Sequence, residues 1–457
     1  MPGEKEDLLL RQLVLETLLE VDGKGEYINV VLKGVLDKYN YLDARKKAFI
    51  KKLATGCMER KIELDYIIDC YSKTKAQKMK PVIRLIIEMG VYQIMYMDNV
   101  YDSAACNMAV SLAKKKGFQG LTGFVNGVLR TIGREKDKIN YPDPIKDYVK
   151  YASVRYSMPE WIVKLWLEQY GEAAVECMLK ASLQDNKVTV RTDENISEEK
   201  RNELIQQWKA AGVSVEVHPY LTYAYALSGA HGIQNLYGYK EGLFTVQDVS
   251  SMLVCECAGI RKGNVIIDVC AAPGGKAMHA ATKLQGSGMV HACDVSEYKT
   301  DKIKENIARM GLKNVTVHVA DATCETAEFM ECADVVLADV PCSGLGVLGK
   351  KADIKYRLTG EQAEEIVALQ REIIANVCKY IKPGGTLIYS TCTVNKGENN
   401  DNIKWITKNL PLEPVSLADA LPEALQQYVG DDGTLQLMQG VHACDGFYIA
   451  KLRKTER

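Results

Sequence analysis

From about residue 245 to its end, the 457-residue chain alternates short apolar runs with helical periods. Apolar runs lie at 265–269, 289–293, 315–319, 335–338, 386–390 and 447–452, with helical stretches near 275–285, 296–311, 361–381 and 399–409 between them. Strands that are joined by helices form a mainly parallel sheet covered on both faces. In such a Rossmann-like α/β fold, ligands sit outside the strand C-terminal ends, at the point where strand order reverses. Residues just after each apolar run are therefore the first candidates for chemistry.

The rest of the chain reads differently, and 457 residues exceed one ordinary core. Residues 5–135 carry helical periods only, as in Pro81-Val-Ile-Arg-Leu-Ile-Ile-Glu-Met-Gly-Val-Tyr, which predicts an all-α bundle. Pro81 suits a first helical position, and Asp43 and Asp102 are expected N-caps. Tyr141-Pro-Asp-Pro144 breaks the pattern. Beyond it, a helical stretch at 161–179 precedes strand, helix and strand at 187–191, 198–211 and 213–217. The expected organisation is an all-α domain over 1–140, a small α/β adaptor over 145–240 and the α/β domain over 241–457.

A net charge of −1 excludes a global basic field, but residues 1–135 hold 22 Lys+Arg against 17 Asp+Glu. Basic residues cluster there at Arg45-Lys46-Lys47, Lys51-Lys52, Lys73 to Lys80 and Lys114-Lys115-Lys116, which suits a polyanionic partner. The opening residues are charged, and no run approaches the roughly 18 apolar residues of a membrane span. A cytoplasmic protein without a membrane partner is expected. Fourteen cysteines occur without any Cys-x-x-Cys pair, so reduced thiols and no metal site are expected.

Cys270-Ala271-Ala272-Pro273-Gly274-Gly275-Lys276 follows the first strand of the α/β domain and opens a helix. Small residues let backbone approach a ligand, and the helix start offers free N–H groups. A phosphate loop would need Gly where Cys270 stands and Ser or Thr where Ala277 stands, and no Gly-x-Gly-x-x-Gly is present. A nucleoside ligand without a tightly held pyrophosphate remains. Asp294 ends the second strand and can accept from ribose hydroxyls, while Asp321 ends the third and can take an adenine amino group. S-adenosylmethionine fits this set.

Asp339-Val-Pro-Cys342 ends the fourth strand, and Ser390-Thr-Cys392-Thr393 ends the next. A thiol after the proline, where amine methyltransferases carry an aromatic residue, points to carbon chemistry. Cytosine C5 becomes nucleophilic once a thiolate adds at C6, and a carboxylic group near ring N3 promotes that addition. Cys342 or Cys392 can attack, and Asp339 can serve N3. Cys57, Cys70, Cys106, Cys177, Cys255, Cys257, Cys378 and Cys444 are read as inert buried hydrophobes.

At these residues the chain resembles the RNA cytosine-C5 methyltransferases of the NOL1/NOP2/Sun family. The likeness runs over about 240–453, through Asp268 to Lys276, Asp294, Asp321, Asp339 to Gly344, Ser390 to Thr393, Gly397-Glu-Asn-Asn400 and Gly446 to Lys451. The all-α front resembles NusB, around Phe124-Val-Asn-Gly-Val-Leu-Arg130. The resemblance implies Cys392 as nucleophile, Cys342 as the thiol that resolves the adduct, and Lys276 near the reacting groups. It implies cofactor contacts at 270–276, Asp294, Asp321 and Asp339. It further implies a monomer acting on 16S rRNA, free or in a partly assembled small subunit. An RNA-binding assembly or antitermination factor with an inactive catalytic half, or the same chemistry on tRNA or 23S rRNA, stays open. One departure is Gly349-Lys350-Lys351-Ala352, where relatives commonly carry Arg-Arg-His-Pro: the charge survives and the His-Pro turn does not, so the resemblance does not carry over that loop's RNA contacts.

Overall fold

The computed structural model describes residues 2–184, 187–230 and 232–455. Two compact units are present, Met1–Leu183 with Leu348–Arg357, and Gln184–Val347 with Leu358–Arg457.

The first unit is helical: α1 (Pro2–Lys24), α2 (Ile28–Lys38), α3 (Ala44–Glu59), α4 (Lys61–Tyr71), α5 (Pro81–Tyr96), α6 (Asp102–Lys115), α7 (Thr122–Glu135), α8 (Tyr148–Arg155), α9 (Glu160–Tyr170) and α10 (Glu172–Ala181). The α5 helix is its centre, buried almost all round as its largely apolar sequence requires, with Arg84 and Glu88 paired at 2.8 Å. Neighbours approach it closely through glycine: a Cβ on Gly56 of α3 would lie 2.0 Å from the Tyr92 ring. Pro81 takes the first helical position, and Asp43 caps α3 by accepting from the Lys46 N–H. Asp102 is not the cap expected of it. It is already the first residue of α6, where its carboxylate suits the helix dipole and pairs with Lys136 at 3.1 Å.

Residues 348–357 lie in sequence within the α/β domain yet pack as part of the helical unit. The Asp353 carboxylate accepts from the Ile28 N–H at 2.9 Å, at the start of α2. Lys355 donates to the Glu59 carbonyl at 2.9 Å, and the Tyr356 hydroxyl meets Ser157 Oγ at 3.0 Å. Burial pulls the Lys355 ammonium down to about 7. Ala352, the last residue of the departing segment, is buried here, so that segment opens an anchor in the helical unit.

The second unit begins with β1 (Val188–Thr192), α11 (Glu198–Ala210), β2 (Ser214–Val217), β3 (Ala224–Ser228) and β4 (Phe244–Val246). These strands form an antiparallel sheet of order β2-β3-β1-β4, with Trp208 of α11 packed on Phe244 at 4.9 Å. Then come α12 (Val249–Cys257), β5 (Val265–Asp268), α13 (Gly275–Lys283), β6 (Met289–Asp294), α14 (Glu297–Met310), β7 (Val315–Val319) and β8 (Ala333–Asp339). They are followed by α15 (Gly360–Val377), β9 (Ile381–Thr391), α16 (Asn400–Asn409), β10 (Leu412–Val415), β11 (Leu435–Leu437) and β12 (Phe447–Lys454). All six expected strands and four expected helices are present.

The large sheet runs β10-β12-β9-β8-β5-β6-β7, parallel from β9 to β7, with β12 antiparallel to β9. The direction of winding reverses at β5, between β8 and β6, so the crevice for a ligand opens there. A half-buried polar seam joins the small sheet to the helix after that crevice. Glu194, just past β1, accepts from His279 at 2.9 Å, and Lys283 reaches Glu256 at 2.8 Å and Glu194 at 3.2 Å. Lys283 thereby bridges both carboxylates of a group otherwise spaced like metal ligands and offsets one of their two charges. Among the described residues no helix is long and apolar enough to cross a membrane.

Candidate active site

The loop after β5 is built as its small residues allow. The Ala271 N–H donates to the Cys293 carbonyl at 2.8 Å, and the Ala272 N–H to the Asp294 carboxylate at 3.0 Å. Gly274 takes φ +104°, which only glycine adopts cheaply, and α13 starts at Gly275. A cavity opens over this turn, lined by 270–273, Gly275, Lys276, Asp268 and Asp339, and by Val246, Gln247, Asp248 and Ser251. Asp294 borders it through Ala272 and also accepts from the Val295 N–H at 2.8 Å. Asp321 stands apart at the surface beyond β7, its carboxylate turned onto the Thr323 N–H and hydroxyl at 2.9 and 2.7 Å. Those two bonds hold its pKa below the usual carboxylate value.

Two groups on the cavity wall escaped the sequence reading. Asp268, the last residue of β5, is fully buried, and neither oxygen makes a well-formed hydrogen bond. Burial pushes its carboxyl up to about 7, against the pull of Lys276. The Gln247 amide nitrogen is likewise buried without a partner, while its oxygen accepts from Arg191 at 2.8 Å. An unpaired carboxylate and an unpaired amide on one cavity wall suit a ligand with both a cation and an acceptor, as the amino-acid end of S-adenosylmethionine is. The signal for Asp268 was its place, two residues before Cys270, where it opens the stretch that carries the family likeness but was given no role of its own. Gln247 follows a three-residue strand too short for periodicity to reveal.

The reactive groups gather at the ends of β8 and β9. Lys276 donates to Asp339 at 2.7 Å and to Ser251 at 3.1 Å, and Ser390 donates to the other Asp339 oxygen at 2.8 Å. Burial alone would lower the Lys276 pKa, but Asp339, Asp268 and Cys392 together raise it. Cys342 and Cys392, fifty residues apart, bring their sulfurs to 3.2 Å. Cys342 is held well above the usual thiol range by the Cys392 sulfur, by burial, and by Glu398 and Asp339. The backbone fits as tightly: the Gly346 N–H donates to the Cys392 carbonyl at 3.0 Å, and a Cβ on Gly346 would lie 2.0 Å from the Gly446 carbonyl.

Of the eight cysteines read as buried, Cys57, Cys106, Cys255, Cys257 and Cys378 are so, and Cys444 is half-buried. Cys70 and Cys177 are exposed instead, since each falls on the outer face of its helix. Both lie in the helical unit, whereas the thiol pair lies in the α/β unit.

A parallel sheet that reverses at β5, a nucleoside-type loop there and unpaired polar groups on its wall define an S-adenosylmethionine-dependent methyltransferase. The 16S rRNA methyltransferase RsmB/F family matches residues 258–453, the NusB family residues 9–134, and a ferredoxin-like domain of RsmF/B-like methyltransferases residues 158–234. A probable ribosomal RNA small subunit methyltransferase B of Bacillus subtilis is 35% identical, over 97% of this chain and 98% of its own length. The crystal structure of PH0851 superposes with a TM-score of 0.80 at 23% identity, over 97% of this chain and 98% of that one. NSun6 from Pyrococcus horikoshii with SFG, an S-adenosylmethionine analogue, matches 65% of this chain and 99% of its own at 22% identity and a TM-score of 0.57. The chain belongs to the RsmB/F family of 16S rRNA methyltransferases.

Proposed function

We propose that this protein methylates C5 of a cytidine in 16S rRNA through a covalent bond between Cys392 and ring C6. The observation that carries the reading is the pair of sulfurs 3.2 Å apart beside the Lys276–Asp339 ion pair, at adjacent strand ends next to the cofactor cavity.

The Cys392 thiolate adds to C6, and the proton shared by Lys276 and Asp339 supplies the hydrogen bond to ring N3 that draws electrons off C6 and so promotes the addition, which leaves C5 electron-rich. The Lys276 ammonium also favours negative charge on the Cys392 sulfur, since their attraction is mutual. S-adenosylmethionine, when bound, supplies the electrophilic methyl carbon that C5 attacks. Water then takes the C5 proton, the C5–C6 double bond reforms, and the C6–S electron pair returns to Cys392. Cys342, kept protonated by its surroundings, points its S–H at that departing sulfur.

The residues that hold the cofactor are read as the 270–276 turn, Asp294 for the ribose, Asp321 for the adenine, and Asp268 with Gln247 for the amino-acid end. The basic clusters of the helical unit grip RNA phosphates, and the target base must be unstacked to reach the thiols. That need for an accessible loop favours a free or partly assembled subunit as substrate, and the protein is read as a cytoplasmic monomer. The test is methyl transfer from labelled S-adenosylmethionine to unmethylated small-subunit RNA, followed by nucleoside mass spectrometry. Labelled 5-methylcytidine is the expected product, and label on another base or on none overturns the reading.

Asp268 gives the cofactor site a pH signature. Its carboxyl titrates near 7, above the ordinary value of an aspartate, so below pH 7 a proton must leave before a cation can bind. Cofactor affinity should therefore rise with pH up to about 7, by at most about tenfold per unit, and level off above. Asp268→Asn should flatten that profile and weaken binding at pH 8 about tenfold or more. Calorimetric titration of both proteins between pH 6 and 8 checks this, and parallel profiles would remove Asp268 from the site.

A further inference from the structure

We propose that Glu398 is a positioning residue whose buried carboxylate ties together the two turns that carry Cys342 and Cys392, and so keeps Cys342 as the thiol that assists release. The inference rests on the covalent reading above. Glu398 is fully buried near the start of α16, and its side chain touches neither sulfur through any hydrogen bond. It works through their neighbours.

One carboxylate oxygen accepts from the Ser343 N–H at 2.8 Å and from the Gln370 amide at 3.1 Å. The other accepts from the Ser343 hydroxyl at 2.5 Å and from the Asn395 amide at 3.1 Å. Gln370 also donates to the Pro341 carbonyl at 2.9 Å, so both residues flanking Cys342 are fixed. The Ser343 hydroxyl in turn lies 2.7 Å from that of Thr393, the residue after Cys392. Since Ser343 spends its proton on Glu398, Thr393 must donate to Ser343. Every proton in this chain of donors points toward one carboxylate, which calls for its ionised form. A negative charge behind Cys342 then opposes a second one on the Cys342 sulfur, and burial strengthens that repulsion. The geometry thus separates two neighbouring thiols: Cys392 faces the Lys276 ammonium, and Cys342 backs onto Glu398.

Glu398→Gln keeps the shape but removes the charge and turns an N–H toward the Ser343 donors. Two measurements test it, after cofactor binding has shown that each variant is folded. The first needs no RNA: alkylation of Cys342 by iodoacetamide, followed by peptide mass spectrometry across pH in a Cys392→Ser background. The alkylation midpoint should fall by about one pH unit in Glu398→Gln and return toward the parent in Glu398→Asp, which keeps the charge. The second counts covalent protein–RNA species on denaturing gels during turnover. Glu398→Gln should raise that fraction at least about fivefold and lower kcat, while KM for RNA stays within about twofold. An unchanged midpoint overturns the positioning role whatever happens to the RNA. A shifted midpoint together with full methyl transfer by Cys392→Ala upholds the positioning and removes the covalent reading, while a shifted midpoint with no RNA adduct in Glu398→Gln or in Cys342→Ala overturns the part of the proposal that assigns Cys342 to release.

Discussion

Replacing Cys392 by alanine should reduce methyl transfer by about four orders of magnitude or more, while S-adenosylmethionine binds within about twofold of the parent affinity. The size of the effect follows from what is left behind. Cytosine C5 has no nucleophilic character until C6 is saturated, so neither orientation nor a bound methyl donor can replace the missing sulfur. The nearest substitute is Cys342, whose sulfur lies 3.2 Å from that of Cys392. It is a poor one, because the negative charges of Glu398 and Asp339 and its own burial hold it as the thiol, and the thiolate is the attacking species. Cofactor binding should survive because Cys392 is not on the cavity wall. Single-turnover transfer of labelled methyl groups and equilibrium dialysis separate the two quantities. Activity above about one per cent of the parent would return the nucleophile's role to Cys342 or to a route without an adduct.

The α/β fold was legible because its signal is repeated: six apolar runs with helices between them allow few sheets, and each strand end could be located within a residue or two. Cys342, Cys392 and Asp339 became candidates from that placement, since a residue just past an apolar run must fall at the ligand edge of a parallel sheet, whereas Lys276 was added to the reacting groups only by the family resemblance. Other contributors were hidden for specific reasons. Gln247 and Ser251 come from a segment upstream of β5 that folds back over the loop, a contact with no local pattern. Glu398 lies in a polar stretch that reads as an ordinary helix start, and its importance rests on Ser343, fifty-five residues away. Asp102 was misplaced by one residue because an acidic side chain suits both the cap and the first turn of a helix. The anchor at 348–357 could not have been read at all, since nothing in its composition sends it to the helical unit rather than to the sheet that flanks it in sequence. Placement alone left two equivalent thiols, which only the family resemblance divided into nucleophile and resolving group. Their difference lies in which charge each one faces, and that is a property of the assembled site.

Replacing Cys342 by alanine should have the opposite signature: the adduct forms but persists. Attack on C6 needs only Cys392 and the Lys276–Asp339 pair, both of which the substitution leaves in place. Reversal of that bond after methylation is harder, because the sulfur must leave as a thiolate inside a largely buried site. In the proposed reaction the Cys342 S–H, on a sulfur 3.2 Å from that of Cys392, offsets the charge as it develops on the departing sulfur. Without it the leaving thiolate has no donor on that side, and loss of one such hydrogen bond slows a step by about tenfold to a thousandfold. A covalent protein–RNA band should therefore dominate denaturing gels of Cys342→Ala after incubation with RNA and labelled S-adenosylmethionine, and the label should travel with it. Label in the band places the block after methyl transfer, where the release role requires it. An unlabelled band would move the block before transfer and give Cys342 a part in the methylation step itself, while normal turnover without any band would remove its role in release. The double variant lacking both thiols should form no band under any of these conditions, because the bond that Cys342 helps to break is one that only Cys392 can make.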